Sequence, residues 1–140
     1  MNALFTGLYV RYNDASAESV ALRASLTNGL FAYEPPQGTE FPYVTYFLVS
    51  DVPWDRLVER GEDALIQFDI FSKKSTTTVD PATEACELYD LLDAVYDECY
   101  LTITGYTHVS IKREFAELPP PDEDSVYQYS ITYRILIEKI

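Results

Sequence analysis

Apolar residues recur every third or fourth position near the start of the chain and at every second position in much of the remainder, which predicts helices first and strands after. Ala3–Tyr12 carries Leu4, Phe5, Leu8 and Tyr9 at helical spacing; Ser16–Leu26 carries Val20, Leu22 and Leu26 between Glu18 and Arg23. Asn13, Asp14 and Ser16 are candidate N-caps for the second helix, and Asn28-Gly29 gives it a stop. Leu30–Tyr33 reads as a short strand, Pro35-Pro36 with Gly38 as a turn, and Tyr43–Val49 as a β-rich run. Residues 50–63 are charged and interrupted by Pro53 and Gly61, so they read as an exposed excursion between two strands.

The alternation returns in Ala64–Phe71, with Ala64, Ile66, Phe68 and Ile70 on one face and Gln67 and Asp69 on the other. A polar loop over Ser72–Thr78 follows, and then Asp80-Pro81, an N-cap with proline in the first turn. The helix expected from Pro81 to about Cys99 puts Ala85, Leu88, Leu92, Val95 and Cys99 on one side. Glu84, Glu87, Asp90, Asp93, Asp97 and Glu98 take the other. Asp97 and Glu98 oppose the helix dipole at a cost of a few tenths of a kcal/mol each, leaving two readings: a basic group beside them, or a solvated acidic face. Leu101–Phe115 and Val126–Ile140 read as a long hairpin, the latter alternating Tyr127, Tyr129, Ile131, Tyr133, Ile135 and Ile137 with polar residues. Its loop at 117–125 is proline-stiffened and acidic. The expected fold is therefore α+β: one domain over residues 1–140, a mostly antiparallel sheet of four to five strands, and helices packed on one face.

Composition changes the functional picture more than the structural one. The 140 residues include 23 acidic and 10 basic ones, a formal charge of −13, which disfavours direct binding of a phosphate backbone and favours basic partners or cations. Cys86 and Cys99 fall about 220° apart around the expected helix, so a disulfide between them is excluded if that helix forms; small buried or half-buried thiols are the expectation. The N-terminal segment lacks the pattern of a signal peptide and no run reaches the ~20 apolar residues of a membrane span, so a soluble protein made in the cytosol is expected.

Candidate chemistry is sparse. His108, the one histidine, has no evident catalytic partner, and three Cys and His residues are too few for a structural zinc site. The carboxylates of EDALIQFD and PPPDEDS lack the ligand spacing of a calcium loop, and the five glycines stand too far apart to cradle a phosphate. No catalytic, metal or cofactor site is expected. Trp54, flanked by Asp55, Arg56 and Arg60, has the composition of an interface anchor, with folding back onto its own core as the alternative.

The order of elements, together with PQGTEFPYV at 36–44, IQFDIFSK at 66–73 leading into a helix carrying ACELYDLLDAVYD, and the strands TGYTHVSIKREF and VYQYSITYRILIE, resembles the tail completion proteins of tailed bacteriophages. These are also described as tail terminator or tail-to-head joining proteins. The resemblance implies a non-enzymatic virion protein, assembled in the host cytoplasm, whose subunits close into a six-fold ring at the head–tail junction. Its implied partners are further copies of itself, the tail tube protein and the head-side connector. A negative ring would let DNA pass without specific binding. A neck or head-completion adaptor is the nearest alternative, and a small ligand-binding or enzyme domain with a pocket between sheet and helix the next. Interface candidates are Trp54, Arg56, Arg60, Lys73, Lys74, Asp122, Glu123 and Asp124.

Overall fold

A computed structural model describes residues 2–55, 60–74 and 80–140, apart from the Asp55 side chain. Two N-terminal helices, α1 (Asn2–Tyr12) and α2 (Ala17–Ser25), lead into strand β1 (Leu30–Ala32). Then come β2 (Tyr43–Asp55), β3 (Arg60–Lys73), helix α3 (Pro81–Tyr96), β4 (Tyr106–Glu117) and β5 (Val126–Lys139). The strands form one sheet in the order β1-β2-β3-β5-β4, antiparallel except for the short β1–β2 pair. The fold is α+β.

Alternation decides which face of the sheet meets the helices. Val44, Tyr46, Ala64, Ile66, Phe68, Ile70, Ile131, Tyr133, Ile135 and Ile137 all point to one side and are buried there with Leu4, Leu8, Leu22, Leu88, Leu92 and Val95. Aromatic contacts fill the centre: Phe68 lies 4.7 Å from Tyr96 and meets Tyr133 edge-on at 5.7 Å between ring centroids. Buried hydroxyls find partners, Tyr96 donating to the Leu8 carbonyl at 2.8 Å and Tyr133 to Asp93 Oδ1 at 2.8 Å. The first bond ties α3 to α1, the second ties it to β5.

The helix ends follow local chemistry. Ser16 Oγ accepts from the Ser19 amide to start α2, and Asp80 accepts from the Ala82 and Thr83 amides to start α3, with Pro81 in its first turn. Arg11 and Arg23 clamp the α1–α2 corner: Arg11 bonds Asp14 and the Val95 carbonyl, while Arg23 bonds the Tyr12 and Asp14 carbonyls. Burial works against ionisation of Asp14, but hydrogen bonds with Ser16, Arg11 and Ser19 outweigh it and hold the carboxyl well below its ordinary range.

Three expectations are corrected. Residues 50–63 are no excursion: Ser50–Asp55 continue β2 and pair with Arg60–Leu65, so the connection shrinks to 56–59, outside the described residues. A register shift between Leu48 and Ser50 absorbs one residue there. Pro53 is tolerated because β1 accompanies β2 only as far as Tyr46, leaving that side without a strand that would need its missing N–H. Helix α3 ends at Tyr96, not Cys99; Asp97 adopts an extended cap and Glu98 a positive φ of 57°. Strand β4 begins at Tyr106, not Leu101, after a turn in which Gly105 has φ 84°. Of the two thiols, Cys99 is half-buried and burial raises it to about 11, whereas Cys86 is exposed on α3.

Candidate interaction surfaces

Strand register divides the candidate residues between the two ends of the sheet. Lys73 pairs with Val126 at one end, and Lys74 and the β4–β5 loop lie beside it. Gly61 pairs with both Trp54 and Glu138 at the other end, with Arg60 one step beyond. Twelve strand steps at a rise of ~3.3 Å put these ends about 40 Å apart. Arg56 lies outside the described residues. The sequence grouped the candidates by composition; the fold sorts them into two poles.

At the first pole, Asp122 is committed to the chain itself. One of its carboxylate oxygens accepts from the Asp124 amide at 2.8 Å and the Val126 amide at 3.0 Å, while its own amide donates to the Val126 carbonyl. That internal turn leaves Glu123 and Asp124 exposed. Lys74 is exposed and Lys73 half-buried, and neither makes an ion pair among the described residues.

At the second pole, Trp54 is half-buried, its ring lying across Gly61 on the sheet face away from the helices. A Cβ on Gly61 would stand 2.7 Å from that ring and 2.7 Å from the Ile137 carbonyl oxygen. Glycine is what lets the indole fold flat. Trp54 thus rests on its own sheet, outside the buried core.

On the helix side of the same pole is a cleft of about 430 Å³ lined by Asp51, Arg60, Glu62, Tyr106 and Lys139 among others. Asp51 faces Ala64 and Pro53 faces Glu62 across the β2–β3 pair, so the two carboxylates are diagonal neighbours on one face. Glu62 Oε2 is buried without a hydrogen-bond partner among the described residues. Burial first, and then the Asp51 carboxylate, raise the Glu62 carboxyl above its ordinary value. This cluster was missed in the sequence because it exists only through pairing register. No described residue of α3 lines it.

The acidic face of α3 finds its basic group inside the molecule. Arg113 of β4 bonds Asp93 at 3.2 Å, meets the Tyr89 hydroxyl and lies over the Tyr89 ring, which stacks on Tyr129. The Arg113 amide donates to Asp97 Oδ1 at 2.9 Å and the Glu98 amide to the Ile111 carbonyl at 3.0 Å. Both groups lie on the outer edge of β4, so the helix end caps that edge. On the uncovered sheet face, Arg134 grips Asp63 with Nε at 2.9 Å and 3.1 Å from its two oxygens. His108 accepts from the Leu101 amide at 3.4 Å and packs against Tyr100.

The family model for tail completion protein gp17 matches residues 14–138, and the chain belongs to that family. It is accordingly a structural virion protein. A chain in the virion of a native gene transfer agent particle has the same fold, with a TM-score of 0.77 at 14% identity over 98% of this chain and 96% of that one. No curated protein matches the sequence.

Proposed function

We propose that this protein closes into a ring that terminates the tail tube and joins it to the head-side connector. The family match over residues 14–138 carries the reading. Three features support it: a sheet with its described helices on one side, a face on the other that no described helix covers, and charged residues gathered at both ends. Its chemistry is that of contacts between proteins. With a net charge of −13, the ring would repel DNA passing through it instead of binding it.

Light scattering on the purified protein, alone and then with the tail tube protein of the same virion, tests the proposal. A closed oligomer that forms alone or on the tube supports it. A monomer indifferent to the tube but captured by the connector would move the protein to the neck, as an adaptor.

A further inference from the structure

The two poles carry opposite halves of one charge pattern. The hairpin end presents Asp51 and Glu62 beside Arg60 and Lys139 around an open cleft, with one buried oxygen of Glu62 lacking a donor among the described residues. The loop end presents Lys73 and Lys74 beside Glu123 and Asp124. Four of the arginines are already spent: Arg11 and Arg23 on the α1–α2 corner, Arg113 on Asp93, Arg134 on Asp63. Among the described residues the bases with no recorded bond or ion pair include Lys73, Lys74 and Lys112. Lys112 stands in the middle of β4, opposite Arg134 on the sheet surface, where it cannot enter a cleft at a strand end. Lys74 leaves the end of β3 and is exposed.

We infer that the hairpin end of one copy docks on the loop end of the next, Lys74 entering the cleft between Asp51 and Glu62 while Glu123 and Asp124 face Arg60 and Lys139. The inference rests on the ring reading and names the contact that builds it. An ammonium group between the two carboxylates gives the orphaned oxygen of Glu62 its donor and relieves the like-charge contact with Asp51. The contact is heterologous, joining unlike surfaces, and such contacts close into rings when the rotation between copies allows. Because the two ends lie about 40 Å apart in one molecule, Lys74 cannot reach the cleft of its own copy.

Carbodiimide, which joins an amine directly to a carboxylate, tests the contact on particles assembled from mixed isotope-labelled and unlabelled protein. Mass spectrometry should find Lys74 joined to Asp51 or Glu62, with labels mixed across the link. Lys74→Glu and Glu62→Lys should each lower ring yield about tenfold or more, since like charges facing each other across an interface are strongly unfavourable. An equimolar mixture of the two variants should recover assembly, because alternating copies restore opposite charges at every contact. Glu123→Lys with Arg60→Glu, both exposed positions, provides a second exchange if Glu62→Lys does not fold. A ring lacking the Lys74 link, or joined instead through Lys112, overturns this contact while leaving the ring intact. A protein that remains monomeric both alone and on tubes overturns the contact and the ring together.

Discussion

At Glu62 the fold spends stability on a charge. Its carboxyl is raised by burial and by Asp51, with Tyr106 and Lys139 on the same cleft. A carboxyl raised in the folded state binds its proton more tightly there than in the unfolded chain. Its contribution is therefore full below the ordinary carboxyl range and is lost as pH rises through the raised value. Glu62→Gln should then melt higher than the wild type at pH 8, with the gap narrowing as pH falls towards 5; calorimetry at several pH values checks this, and a gap independent of pH would contradict it. Gly61 is constrained on both sides, by the Trp54 ring and by the Ile137 and Trp54 carbonyl oxygens. Gly61→Ala should cost about 1–3 kcal/mol in chemical denaturation, the usual scale of overpacking, with a change in Trp54 fluorescence. An unchanged midpoint and spectrum would show that the indole does not lie where described.

Among the elements, those whose two sides differ in polarity were legible in the sequence. Strand β5 alternates Ile131, Tyr133, Ile135 and Ile137 with polar partners, so its buried face and extent could be read from period alone. The start of α3 was equally plain, because Asp80 and Pro81 are start signals with a local mechanism. Asp80→Ala should lower the urea midpoint by removing the N-cap of α3, and no shift in midpoint would deny the cap. What could not be read was decided by partners far along the chain. The charged and proline-bearing stretch at 50–55 becomes strand only because β3 is there to pair with it. Tyr96 was not singled out, although it is fully buried between Phe68 and the Leu8 carbonyl. The acidic end of α3 is answered by Arg113, which only the β4–β5 pairing brings across.

For the molecule as a whole, the candidate site was half visible. Lys73, Lys74, Glu123 and Asp124 stood out as charge in polar loops, but their separation from Trp54 and Arg60 by the length of the sheet required the register. The cleft of Asp51 and Glu62 required it too, since those residues are eleven positions apart and meet only by folding back. An end-to-end arrangement of charge on a rigid sheet suits a part that works by being repeated. Electron microscopy of tail tubes incubated with the purified protein tests that account most directly. A closed ring of density should sit at one end of each tube, with none along its length; bare ends, or protein scattered along the tube wall, would rule the ring out.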